Sequence, residues 1–335
     1  MYRSKRLWLN KDQNQKADWQ ALMKASNLST EIDLDYAIGI YETASGRLMA
    51  SGGFQDNIIK GVAVCKDAQS DNLLNTLITT LIEEMKARGI QKYFVYSKPS
   101  NIKYFKSLGF RLLVETEEMV FMEMGLPTFN QYIQQLSHNI HGENNGAIVM
   151  NANPFTKGHR HLIEYAAEHS EQVIVFVLSE DRSQFSTRDR INMVKAGTND
   201  LENVQVFATE DYMVSQATFP TYFLKDFELN EMKTKAQATL DASLFKESIA
   251  PALHIKTRYV GEEPYSQLTA IYNQAMREVF GDDLTLTIIP RLAVGDDIIS
   301  ATKVRKHINE GNVEQAKKYL PESTIEYLMD QGKIG

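Results

Sequence analysis

The sequence predicts an α/β protein in two parts, an α+β block followed by a doubly wound parallel sheet, and three observations carry that reading. Its 335 residues suit two domains of ordinary size. Apolar residues at 43% and charged residues at 24% place it among globular chains rather than disordered, collagenous or coiled-coil ones. From residue 147 onward, short apolar runs alternate with stretches of helical periodicity, the pattern of parallel strands joined by crossover helices.

The front block reads as mixed strand and helix. Residues 36–41 alternate loosely and lead through a turn at Ser45-Gly46 to 47–52. A third strand candidate covers 58–65, a helical pattern runs over 73–88, another strand covers 92–96, and a hairpin-like tail spans 110–124. Gly125 and Pro127 then interrupt the pattern, since the residue before a proline is steered away from helix. A short helical connector at 129–137 and a polar, turn-rich segment at 138–146 follow. The expected organisation is therefore a first domain over 1–125, a linker over 126–145 and a second domain over 146–335.

In the second domain the expected order is strand 147–150, helix 159–169, strand 172–178, helix 187–196 and strand 204–207. Strands at 255–260 and 284–289 and helices at 265–279, 301–309 and 313–319 complete it. Open sheets of this kind gather their ligands at the carboxyl ends of the strands, which directs attention to the loops that follow 150, 178 and 289.

Charge narrows the function classes. Residues 1–125 hold 16 Lys and Arg against 15 Asp and Glu, and the remainder 20 against 28, so neither part has the basic balance of a nucleic-acid binder. An anionic ligand has to be held by local donors. The longest apolar run, 173–178, is far short of the roughly 20 residues a bilayer span needs, and the first residues lack the apolar core of a secretory signal. A cytoplasmic protein with no membrane segment is expected. The single cysteine, Cys65, rules out an internal disulfide, and its apolar surroundings suggest a small buried core residue. The seven histidines form no HxxxH pair, so no histidine metal centre is expected.

The most informative stretch is residues 147–164, AIVMNANPFTKGHRHLIE. A short strand ends at Met150, a loop with Asn151, Asn153 and Pro154 follows, and Thr156-Lys157-Gly158-His159 opens a helix whose apolar positions Leu162, Ile163 and Ala166 recur at helical spacing. A helix start above the sheet presents backbone N–H groups and a positive dipole end to an anion. Gly158 lets an anion approach the backbone, and Thr156 and His159 lie three apart on one helical face. The imidazole can donate a hydrogen bond as charge builds on a phosphate oxygen. An isolated TxGH reads as a surface or capping histidine; its position directly after the first strand of an α/β domain points to phosphate instead. The second stretch, residues 295–305, GDDIISATKVR, lies after the last strand candidate. Ser300 is a natural N-cap, Thr302 sits in the first turn, and Arg305 brings a guanidinium fork one turn later.

The paired TxGH turn and ISxTxxR-like helix start resemble the nucleotidyltransferase superfamily that includes pantetheine-phosphate adenylyltransferase. More closely, NPFTKGHRHLIE, SEDRSQF, ATFPTYFLKD, VGEEPYSQLTAIYNQAM and ISATKVR resemble the citrate (pro-3S)-lyase ligase family, and the likeness covers most of 147–308. The resemblance implies a Rossmann-like nucleotidyltransferase domain preceded by an N-acetyltransferase-like domain. It implies ATP as substrate, held by Asn151, Pro154, Phe155, Thr156, Lys157, Gly158, His159, Arg182, Ser300, Thr302 and Arg305, with His159, Thr156 and Arg305 as the catalytic set. Thr156 and His159 would meet the phosphates, His159 would stabilise the α-phosphoryl transition state, and Ser300, Thr302 and Arg305 would hold the β and γ phosphates. Lys157 and Arg182 are further phosphate donors in this reading. Mg²⁺ is expected on substrate oxygens and water, with no residue assigned as its ligand.

The implied reaction joins AMP to acetate and then passes the acetyl group to the thiol of the citrate lyase acyl-carrier prosthetic group. Adenylyl transfer to phosphopantetheine or to a mononucleotide is the alternative enzyme reading, and a non-catalytic nucleotide-binding adaptor is the third. In the front block the loop that binds coenzyme pyrophosphate in N-acetyltransferases corresponds to Gln69-Ser70-Asp71, which has no glycine and adds a carboxylate. That argues against acetyl-CoA binding and leaves recognition of the partner protein or its thiol arm as the expected role.

Overall fold

The computed structural model describes residues 1–68, 71–179, 183–213, 230–262, 267–294 and 297–334. Two compact units emerge, Met1–Tyr132 with Pro220–Ala236, and Ile133–Phe219 with Gln237–Gly335. The boundary between them falls at Tyr132–Ile133.

The first unit runs β1 (Tyr2–Leu7), α1 (Gln13–Ala25), β2 (Tyr36–Glu42), β3 (Leu48–Gln55), β4 (Ile58–Val64), α2 (Asp71–Ala87), β5 (Lys92–Ser97), α3 (Ile102–Ser107), β6 (Arg111–Glu115) and β7 (Val120–Gly125), and the unit boundary falls within α4 (Phe129–Ser137). Its sheet has the order β1-β2-β3-β4-β5-β7-β6, antiparallel except between β4 and β5. Buried Leu77, Ile78, Leu81 and Met85 of α2 cover it together with Phe54, Ile59 and Val95. The β4–β5 ladder is only two residue pairs long, Ile58 with Phe94 and Ile59 with Val95. Its brevity has a local cause. Gly61 has φ +62°, and Gly61 and Val62 together oppose Gly52 of β3, a bulge that bends β4 away from β5. Between the diverging strands lies a cleft of about 890 Å³.

The second unit runs β8 (Asn145–Met150), α5 (Lys157–Glu168), β9 (Val173–Val177), α6 (Thr187–Ala196), β10 (Val204–Ala208), the part of α7 (Asn230–Leu244) from Gln237 onward, α8 (Ala250–Ala252), β11 (Ile255–Gly261), α9 (Gln267–Phe280) and β12 (Thr285–Ile289). The short pair β13 (Ala293–Val294) and β14 (Asp297–Ile298) then leads into α10 (Ala301–Asn309), α11 (Val313–Lys317) and α12 (Glu322–Asp330). Its five strands are all parallel in the order β10-β9-β8-β11-β12. The chain therefore reverses direction across the sheet between β8 and β11, and the crevice at that switch point opens at the carboxyl end of β8. β9, VIVFV, is buried along its whole length, as a central parallel strand covered on both faces requires.

Candidate active site

Thr156 caps α5, and its hydroxyl accepts the His159 N–H at 3.3 Å. In return His159 Nδ1 accepts the Thr156 N–H at 3.1 Å. This is a capping box in which histidine takes the place usually filled by Glu or Gln. Capping and phosphate contact do not exclude each other on one imidazole. With Nδ1 accepting a backbone N–H, the ring proton resides on Nε2, so the half-buried His159 turns a fixed donor outward. Desolvation, and next the charge of Arg291, lower the imidazole pKa to about 4, so the ring is neutral at physiological pH.

Stability should report this directly. The unfolded chain takes up the proton near pH 6.5 while the folded ring resists it down to about 4, so stability falls as pH drops through that interval. His159→Gln should flatten the decline in denaturation midpoint between pH 7 and 4.5, and equal slopes in both proteins would contradict the assignment.

The open amides are distributed differently from the sequence expectation. In the first turn of α5 the Lys157 N–H bonds the Tyr319 carbonyl, the His159 N–H the Thr156 hydroxyl and the Arg160 N–H the Thr156 carbonyl. Among the described residues only the Gly158 N–H of that turn has no protein acceptor. At α10, by contrast, the amides of Ala301 and Thr302 have no protein acceptor among the described residues, and the Ser300 hydroxyl makes no capping bond. Most of the open backbone donors of these two helix starts therefore belong to α10.

The two stretches singled out in the sequence converge. Arg305 Nη1 donates to the Asn153 carbonyl at 2.5 Å and Nη2 to the Thr302 hydroxyl at 3.0 Å, so α10 is fastened to the loop before α5. Ile299, just ahead of α10, lies 3.5 Å from where a Gly158 Cβ would stand, which is an ordinary contact. Neither crowding nor backbone strain in the protein itself demands glycine there. Gly158→Ala should therefore keep stability or raise it by about 0.5–1 kcal/mol while raising the KM for ATP, since the methyl occupies the anion's approach. An unchanged KM would remove Gly158 from the site.

Other expected site residues have structural duties. Thr156 is 2% exposed, and its hydroxyl is engaged in the cap. Phe155 is fully buried in the core and stacks beneath His159, ring centroids 5.9 Å apart, so it supports the imidazole from below. Pro154 is buried beside it. Asn151 Oδ1 accepts Arg190 Nη1 at 2.7 Å, and Lys157 Nζ donates to the Lys318 carbonyl at 2.9 Å. Arg182 lies outside the described residues. Two residues unforeseen in the sequence matter here. Arg190, fully buried, binds Asn151, Leu178, Phe185 and Thr187 and so clamps the loops after β8 and β9 together. Arg291, just past β12, acts on the His159 ring.

A five-stranded parallel sheet with a TxGH helix start after its first strand, and a second helix start after its last, defines a doubly wound α/β domain with two helix starts at the carboxyl edge of its sheet. The citrate lyase ligase C-terminal domain matches residues 145–328. Over 323 residues the chain is 34% identical to the citrate (pro-3S)-lyase ligase of Haemophilus influenzae, covering 94% of this chain and 95% of that protein. The chain belongs to the citrate lyase ligase family. Among solved structures, a candidate nicotinate-nucleotide adenylyltransferase from Vibrio parahaemolyticus matches 57% of this chain and 95% of its own, at 21% identity and a TM-score of 0.37. The ribosomal-protein-S18-alanine N-acetyltransferase of Escherichia coli matches 38% of this chain and 96% of its own, at 17% identity and a TM-score of 0.30.

No helix among the described residues is long and apolar enough to cross a membrane.

Proposed function

We propose that this protein is an AMP-forming ligase that activates acetate with ATP and acetylates the thiol of the citrate lyase acyl-carrier prosthetic group. A carboxylate oxygen of acetate attacks the α-phosphorus, the bond to the pyrophosphate oxygen breaks, and acetyl-adenylate and pyrophosphate result. The carrier thiol, losing its proton, then attacks the acetyl carbonyl; a thioester forms and AMP leaves. Neither step uses an enzymic nucleophile, so catalysis rests on positioning and on donors aimed at developing charge. The observation that carries the reading is the convergence of the α5 and α10 starts, fastened by Arg305 on the Asn153 carbonyl. His159 Nε2–H, the Gly158 amide and the α10 amides are the donors, and Arg305 supplies the fixed positive charge.

Mg²⁺ would neutralise phosphate charge when bound. It would be carried chiefly by phosphate oxygens and water.

The first unit supports a role for the thiol arm. Its cleft is lined by strand edges at Val62–Val64 and Ser97 and by Tyr104, Phe105 and Cys65. Cys65, expected to be buried, is half-buried there because β4 bends away, and Arg47 Nη2 donates to its sulfur at 2.9 Å. Diverging strand edges offer backbone N–H and C=O groups to an extended, amide-bearing chain. Acetyl-CoA turnover by the intact protein would overturn the thiol-arm role.

Radiolabelled pyrophosphate exchange into ATP tests the whole. Dependence on acetate supports the ligase, dependence on a phosphorylated acceptor would replace it with an adenylyltransferase, and no exchange would leave a binding protein.

A further inference from the structure

Cations near the α5 start are unevenly disposed. Lys157 is drawn to the Lys318 carbonyl, and Arg160 to Asp200, Glu164 and the Gly197 carbonyl. Both are already engaged by acceptors of the protein. Arg291 is held differently. The Glu262 N–H bonds the Ile289 carbonyl at 2.8 Å, and Arg291 Nε donates to the Glu262 carbonyl at 2.7 Å, so the ends of β11 and β12 are locked together. The next residue, Leu292, accepts the Ile299 N–H at 3.2 Å, and Ile299 is the side chain seated over Gly158. Arg291 thus adjoins, through Leu292 and Ile299, the packing contact over Gly158. Arg305 approaches the same loop from α10.

We propose that Arg291 is a second guanidinium contact for the phosphate tail of the nucleotide, sharing it with Arg305. This rests on the ATP-dependent reading above. The arrangement has a chemical logic. An anion between two fixed guanidinium groups is bound before chemistry, and the His159 donor is left to respond to charge that develops later. In the free protein desolvation, and after it the charge of Arg291, discourage protonation of His159, so the imidazole enters the reaction as a neutral donor. Among the described residues Arg291 is the charged group that lowers the His159 pKa, second to desolvation.

The test uses the full chain as wild type, Arg291→Met, Arg291→Gln and Arg291→Lys, each checked for an unchanged melting profile. ATP binding is measured by calorimetry and His159 titration by NMR without nucleotide. The methionine and glutamine variants should bind ATP at least tenfold more weakly, with the KM for acetate unchanged, and their His159 pKa should rise from about 4 while staying below 6.5, because desolvation remains. The lysine variant should recover most of both. Folded methionine or glutamine variants that bind ATP as wild type does would overturn the role of Arg291. Wild-type protein that binds no ATP would overturn the nucleotide reading beneath it.

Discussion

Replacing His159 with alanine is expected to lower acetate-dependent pyrophosphate exchange by about 10²–10³-fold, the loss that follows removal of one preorganised donor to developing charge. The size follows from how firmly the ring is set. Nδ1 is anchored on the Thr156 N–H at 3.1 Å and Phe155 stacks below, so Nε2–H needs little reorganisation when charge builds at the α-phosphoryl group. Alanine removes the donor and the cap together, and loss of a cap alone costs about 0.5–2 kcal/mol. His159→Gln separates the two effects. Glutamine at this position of a capping box can still accept the Thr156 N–H, so stability near pH 7 should stay near wild type while exchange remains at least tenfold lower. Wild-type exchange rates in either folded variant would remove His159 from the chemistry.

Much of the second unit is legible because its physics is local. A parallel strand covered on both faces is a continuous apolar run, as in β9, and the intervening helices show 3.6-residue periodicity. β1 is not legible: five of its six residues are exposed, and Arg3, Lys5 and Arg6 give an edge strand no apolar alternation. α1 is hidden by a weak apolar stripe, although Asp12 caps it plainly by accepting from Asn14 and Gln15. α7 shows only the sparse repeat Ala236, Leu240, Leu244, and residues before it lie outside those described.

The candidate site divides the same way. The TxGH and ISATKVR stretches announce two helix starts, and their chain positions place both at the carboxyl edge of the sheet. Which amides remain open is not readable, because Tyr319, some 160 residues downstream, supplies the carbonyl that occupies the Lys157 N–H. His159 reads as a phosphate donor, but its capping bond is masked because the usual signature has Glu or Gln at that place. Arg291 carries a faint signal in its position just past a strand end. Arg190 carries none, since an arginine in a polar helical turn ordinarily faces solvent.

Arg190 is where the largest loss of stability is expected. The side chain is fully buried and donates to the carbonyls of Phe185 at 3.1 Å, Asn151 at 3.0 Å and Leu178 at 2.6 Å. It also reaches Asn151 Oδ1 at 2.7 Å and the Thr187 hydroxyl at 3.0 Å. A methionine of similar length would fill the space but leave those acceptors without their donor, and each buried acceptor so stranded costs about 1–3 kcal/mol before relaxation. Because neighbouring losses are not additive, Arg190→Met should destabilise the second unit by about 3–5 kcal/mol, read from its denaturant transition. Arg190→Lys keeps a charge but no planar fork, and should recover only part. The consequence for function is separable. The loop that Arg190 holds through Asn151 also carries the Asn153 carbonyl on which Arg305 rests, so the folded fraction of either variant should bind ATP more weakly. Affinity unchanged in the folded lysine variant would show that the loop keeps its shape without the clamp, and Arg190 would then serve stability alone.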